Sequence, residues 1–239
     1  MKKFLFITML MCLVVSSNCQ SETLDQPLLK VGDTWVYRNT IEKGTNGWNQ
    51  THDEVSVSRI TSSTIYYTSK PNGSSQPAKE SISGADWSRV RNVNGKETVV
   101  NKPLSFPLSP GKTWEIQYTE QEPNKAYKVE TWDNKYTVIG FEMIEVPAGK
   151  FNALKIESEG QWTAELAPAQ TVVQGAQSVQ NSTTMITQVQ KTTSSTVTGR
   201  TYKAFWYAPD VKSVEEYYNS NGVRSERFTS ELESFKMTN

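Results

Sequence analysis

Side chains capable of chemistry are thinly spread in this chain. His52 is its single histidine, and Cys12 and Cys19 are the two cysteines in 239 residues. One imidazole excludes a multi-histidine metal site, and no nucleophile motif accompanies it to make a Ser-His-Asp triad. His52-Asp53-Glu54 sets a base beside two carboxylates, a combination that can bind a metal or relay a proton. Neighbouring side chains on an extended strand point to opposite faces, so the three do not converge. They read as a solvated loop or strand start. Glu142, Glu145, Glu157 and Glu165 are available for glycoside hydrolysis, which needs two carboxyls roughly 5–10 Å apart in an open cleft. No spacing singles out a pair. Asp33, Asp133 and Asp210 fall at expected turns, which aspartate closes through its own backbone hydrogen bonds. There is no glycine-rich phosphate loop, no Gly-x-Ser-x-Gly elbow and no convincing Ser-x-x-Lys context. The sequence therefore assigns no catalytic residue, no metal ligand and no cofactor.

Cys19 is the residue with the most specific prospect. Lys2 and Lys3 precede an apolar run of 12 residues, Phe4–Val15, followed by Ser16-Ser17-Asn18-Cys19-Gln20. The run is too short to span a bilayer as a helix and has the order of an export signal. A cysteine at its end resembles a bacterial lipoprotein signal, in which that cysteine becomes the lipidated first residue. Asn18 and Ser16 depart from the small residue and the Leu or Val usual at those two places. The other reading is an ordinary secretory signal, cleaved after Ser17 or Cys19. The expectation is residues 1–19 as signal, 20–30 as a tether and Cys19 as the lipidation site. Gln20, where an aspartate would favour inner-membrane retention, fits an outer-membrane lipoprotein. The alternative is a soluble periplasmic or secreted protein.

Cys12 lies inside the signal, so the folded part has no cysteine pair and no disulfide framework. About 220 residues can still bury a core as one β domain. The chain carries 25 basic and 25 acidic residues, and without Lys2 and Lys3 the balance is −2. That leaves no electrostatic footprint for nucleic acid or an anionic membrane surface. The expected contact with a membrane is the N-terminal lipid alone.

The aromatic residues shape the fold. Seven tryptophans, ten tyrosines and eight phenylalanines are spread over short segments rich in β-branched residues and separated by Gly, Pro and Asn turns. No amphipathic helix is evident. The pattern predicts an all-β fold: an antiparallel meander of about a dozen strands forming a barrel, half-barrel or sandwich over residues 31–239. Trp35, Trp114, Trp162 and Trp206 sit on predicted strands and belong in a core. Trp48, Trp87 and Trp132 lie nearer turns and are better candidates for exposure. If there is a pocket, its expected walls are the aromatic strand 202–207 and the hairpin 136–158.

That hairpin is the most apolar long segment after the N-terminus, and is expected at the centre of a sheet. Its first arm changes face near Gly140, which predicts a bulge. Leu154 and Ile156 alternate with Lys155 and Glu157 in the second. Asn94-Gly95 predicts a two-residue hairpin turn. Asp133-Asn134 reads as a turn leading into the long hairpin. Residues 103–110, PLSFPLSP, read as an irregular apolar link. Gly32-Asp33-Thr34-Trp35 and Gly111-Lys112-Thr113-Trp114 share Gly-x-Thr-Trp, read as one local device used twice. Residues 168–199 form a Thr/Gln/Ser-rich insertion without aromatics, expected as a mobile loop over 168–181 followed by strands at 183–193 and 196–202.

Two segments carry a family resemblance. Val146–Ile156, VPAGKFNALKI, resembles the V-P-A-G-x-F-x-A-L-x-I hairpin of the DUF3108-like family of uncharacterised exported bacterial β-proteins. Ala204–Val214, AFWYAPDVKSV, is similar to that family's W-Y-A-P-x-V-G-x-V segment, with Lys212 where a glycine is frequent. The resemblance covers about half of the mature chain and leaves out the Thr/Gln-rich stretch. It implies an exported, mostly antiparallel β fold, with no catalytic residue.

Three functions are consistent with these features. The first is a non-enzymatic envelope domain binding an apolar or amphipathic small molecule or an envelope partner protein. The second is a structural or surface-interaction protein of an envelope assembly. The third is a carboxylate hydrolase.

Overall fold

The computed structural model describes residues 23–62, 64–167, 170–179, 182–191, 195–220 and 226–238. The signal region and Cys19 lie outside them. Fourteen strands run in order: β1 (Thr34–Glu42), β2 (Trp48–Ile60), β3 (Thr64–Pro71), β4 (Lys79–Gly84), β5 (Arg89–Val93), β6 (Lys96–Asn101), β7 (Thr113–Asn124), β8 (Tyr127–Val146), β9 (Gly149–Leu166), β10 (Gln170–Val179), β11 (Ser182–Lys191), β12 (Thr196–Ala208), β13 (Ser213–Ser220) and β14 (Glu226–Lys236). Two three-residue 3-10 turns are the only helical elements among the described residues. The fold is all-β and antiparallel.

Ten strands make one sheet in the order β4-β3-β2-β1-β14-β13-β12-β9-β8-β7, with β5–β6 and β10–β11 as separate hairpins. The first and last strands pair near its middle, where Thr34 lies opposite Lys236. Its ends, β4 and β7, are not hydrogen-bonded to each other, so the sheet is open rather than a closed barrel. The β5–β6 hairpin touches both β4 and β7 and so lies between the two edges.

The core has two parts. In one half, Tyr136 and Val138 of β8, Leu154 and Ile156 of β9, and Phe205 and Tyr207 of β12 pack together. Leu104 and Leu108 of the proline-rich link, both wholly buried, join them. In the other half, Trp35, Val57, Ile65 and Leu232 of β1, β2, β3 and β14 meet Ala153, Ala208 and Val211. Trp87 packs against both groups. Facing parts of one curved sheet thus pack on each other in a sandwich-like way.

The long hairpin β8–β9 closes at Val146 opposite Gly149. The register slips between Val138 and Gly140, placing the bulge where Gly140 predicts it, with the glycine at φ 151°. Beyond the bulge the tip serves the other core: Ile144, Val146 and Phe151 pack there, and Ala148 N donates to Leu232 O at 3.0 Å. This explains apolar residues on both faces of one strand. The hairpin is not central in the sheet, however. β8 is next to the edge strand β7, because the pairing of β1 with β14 takes the middle.

The two Gly-x-Thr-Trp segments are the same device in detail. Gly32 N donates to Val57 O and Val57 N to Asp33 O, both at 2.9 Å. Gly111 N donates to Val138 O at 2.8 Å and Val138 N to Lys112 O at 2.9 Å. Each glycine has positive φ, 93° and 85°. Each tryptophan indole donates to a distant carbonyl, Trp35 to Val211 O and Trp114 to Lys102 O. In both cases the neighbouring strand bulges directly after its valine.

Three further expectations are corrected. Asp133-Asn134 is not a turn; both residues lie within the continuous strand β8, whose pairing with β7 and β9 runs through them. Residues 170–179, expected as a mobile loop, form β10 and pair with β11 from Gln170 opposite Lys191 to Val179 opposite Ser182. Threonine and valine favour strands strongly enough to outweigh the polar composition. Trp87 is half-buried between the two cores rather than exposed, and Trp132 is half-buried between Tyr118 and Trp162.

Candidate binding site

A cavity of about 250 Å³ opens between the sheet and the β4–β7 connection. The sheet contributes Tyr37, Val55, Tyr67, Phe205 and Ser230, and the connection contributes Trp87, Arg89, Asn101 and Pro103. Phe205 comes from the aromatic strand expected as a wall. The β8–β9 hairpin does not line it.

Trp87 is the site's most constrained residue. Its φ is 59°, in the left-handed region that a bulky side chain rarely adopts. The turn that holds it is closed on all sides. Trp87 N donates to Gly84 O at 3.0 Å, Gly84 N to Ser88 O at 2.9 Å, and Ser88 N to Asp86 Oδ1 at 3.1 Å. The Ser83 hydroxyl donates to Ser88 O at 2.9 Å. A Cβ on Gly84 would displace the Ser88 hydroxyl and the Asp86 carboxylate from the turn. Such a conformation costs of order 1–3 kcal/mol and persists where surroundings over-determine it. Here the ring meets Trp35 edge-on at 5.5 Å and Tyr67 at 6.5 Å. The indole Nε1 is buried and has no hydrogen-bond partner.

Arg89 and Asn101 are opposite each other across the β5–β6 hairpin, and so share a face. Asn101 Oδ1 accepts from the Tyr136 hydroxyl at 3.0 Å. Arg89 is exposed and has no ion pair among the described residues. No aspartate or glutamate lines the cavity.

A second hollow, about 620 Å³, lies on the sheet around Gly160 and is bordered by Glu115, Asp133, Lys135, Glu159 and Arg200. Lys135 is directly between Glu115 and Glu159 in the strand register. Opposite charges facing each other across strands stabilise a wet sheet face by about 0.2–1 kcal/mol per pair. The alternation accounts for Glu115, Lys135 and Glu159 without a ligand.

The sequence candidates do not gather in the cavity, although Glu142 and Glu157 both lie close enough to act on Lys155. His52 Nδ1 lies 2.7 Å from Glu233 Oε2 on an exposed strand, Asp53 accepts from Asn39 Nδ2 at 2.7 Å, and Glu54 pairs with Lys70 at 3.3 Å. Glu142 accepts from the Trp206 indole, Glu145 pairs with Lys150 and Glu165 with Lys128. Glu157 pairs with Lys155 at 2.8 Å and accepts from the Tyr202 hydroxyl at 2.9 Å. The Lys155 hydrogen bond holds its carboxyl below the usual range against the opposing effect of burial, and the Tyr202 bond adds to it. Each of these four glutamates has its own partner. No group of three or more metal-ligating side chains occurs among the described residues. Asp210 sits in the 3-10 turn after β12. Asp33 is wholly buried and accepts from Lys30 N at 2.9 Å, Thr238 N at 2.8 Å and Lys212 Nζ at 3.2 Å.

No protein-family model matches the chain. No curated protein matches it either. Two solved structures are similar. One, a candidate lipoprotein from Parabacteroides distasonis, is 14% identical with a TM-score of 0.45, covering 90% of this chain and 100% of its own. The other, a candidate exported protein with a YmcC-like fold from Bacteroides fragilis, is 15% identical with a TM-score of 0.37, covering 90% and 99%. Likeness at this level transfers no chemistry.

Proposed function

We propose that the chain is a non-enzymatic binding module of the bacterial cell envelope, tethered by lipid at Cys19, that holds a small apolar or amphipathic molecule. The observation that carries this reading is the aromatic cavity between sheet and connection, with Trp87 held over it in a left-handed conformation. Strained residues gather where a scaffold is specialised for binding or switching. The volume is below the roughly 300–1,000 Å³ of drug-sized sites. It suits about eight non-hydrogen atoms, counting ~30 Å³ for each as for a liquid water. The ligand is therefore small, or enters by one end only.

The cavity is tested by titrating the full chain with 1-octanol, followed by amide chemical shifts. Wild-type shifts should concentrate at Tyr37, Tyr67, Trp87 and Phe205, and the filled-cavity variant Ser230→Phe should lose them. Shifts scattered over the surface, unchanged in S230F, would count against a cavity ligand. The tether is tested by the denatured mass of the protein from its native membrane. A diacyl- or triacylglyceryl adduct on Cys19 is expected. An unmodified chain cleaved elsewhere would make the protein soluble in the periplasm or secreted. Membership of the DUF3108-like exported proteins belongs with this reading, supported by the V-P-A-G hairpin and the W-Y-A-P turn.

A further inference from the structure

Apart from hydroxyls, which donate or accept, the polar side chains that line the cavity are a cation and an amide. The Arg89 guanidinium has no ion pair among the described residues. Asn101 spends its carbonyl oxygen on the Tyr136 hydroxyl, which leaves its amide nitrogen as the end free to donate. Asp86, the nearest carboxylate in sequence, is engaged by Lys102 at 3.2 Å and by Ser88 N. One cation and one amide donor, on the same face of the β5–β6 hairpin, thus border a cavity whose lining contains no acid. An anion answers the cation and the amide donor together.

We infer that the cavity takes an amphipath with a single carboxylate head and a short unbranched apolar tail, its head held at the mouth by Arg89 and Asn101 and its tail among Tyr37, Tyr67 and Phe205. This rests on the cavity reading above and adds the head-group chemistry. A carboxylate suits these groups: a planar guanidinium can grip it in bidentate fashion, and the Asn101 amide offers N–H donors for its remaining lone pairs. Arg89 is solvent-exposed and Phe205 fully buried, so the head meets water while the tail lies within.

The test compares octanoate with 1-octanol on the full chain at one pH and salt concentration. Wild type should bind octanoate at least tenfold tighter than octanol. Arg89→Gln should weaken octanoate at least tenfold and change octanol less than twofold. Equal binding of the two probes, unmoved by R89Q, would overturn the carboxylate assignment and leave the cavity reading standing. Binding of neither probe would overturn both. Arg89 is exposed, so R89Q should fold, and an unchanged thermal midpoint checks this.

Discussion

Asp33 shows how one residue can fasten three segments. Its carboxylate ties the turn before β1 (Lys30 N), the end of the chain (Thr238 N) and the turn after β12 (Lys212 Nζ). Burial alone would raise its pKa. The hydrogen bonds from Thr238 and Lys30, with the Lys212 ammonium, outweigh that and hold the carboxyl below its usual value. A depressed folded-state pKa stabilises the protein above the unfolded value of about 3.9, and the contribution is lost as pH falls through the lower folded value. Asp33→Asn should cost about 1–3 kcal/mol at pH 7 and flatten the fall in stability below about pH 4. Urea unfolding at pH 7 and pH 3 checks both. Sequence reading placed Asp33 at a turn, and that is where it lies. Its partners at Lys212 and Thr238 had no local signal, because they are brought to it only by the pairing of β1 with β14. Trp87 was the larger surprise. Its neighbours Gly84, Asp86 and Ser88 have turn-forming types, but nothing local marks a tryptophan as the residue the turn presents.

Turn devices and bulges were the most legible elements, because their chemistry is local. Asn94-Gly95 and Gly140 act where their conformational freedom is needed. The Gly-x-Thr-Trp segments repeat down to the valine that closes each turn and the bulge that follows it. The residue after each glycine carries opposite charge, yet does similar work. Asp33 accepts from Lys30 N, whereas Lys112 Nζ donates to Ser105 O and to Pro107 O. Gly111→Ala should cost about 1–2 kcal/mol, since its φ of 85° penalises a Cβ. Gly160→Ala should cost more, about 1–3 kcal/mol or above, because its Cβ would collide with Asp133 O, a backbone atom, and with the Asn134 side chain. Denaturant midpoints of the two variants rank them. What the sequence could not reveal was strand length. β8 runs unbroken for 20 residues through Asp133-Asn134, because pairing on both sides overrides two residues with a preference for turns.

At the scale of the whole molecule, two packed groups face each other within one open sheet, and the β4–β7 connection fills the space between its edges. The proline-rich link looked irregular, and it is; it also supplies Leu104 and Leu108, wholly buried, to the core. A binding site assembled in this way is invisible to sequence. Tyr37, Trp87, Asn101, Phe205 and Ser230 are far apart along the chain, and each is of a type that occurs in any β core. The all-β class was readable because alternation and turn residues are local, while the cavity depends on which strands end up opposite one another.

The central claim is that this cavity holds a ligand. Mass spectrometry of the full-length protein, extracted gently from its membrane and measured both native and denatured, tests it most directly. The account predicts an added mass of a small amphipath in the native spectrum that is absent after denaturation, and absent from Ser230→Phe in both states. Identical native and denatured masses for the wild type, or an adduct that survives in S230F, would contradict it.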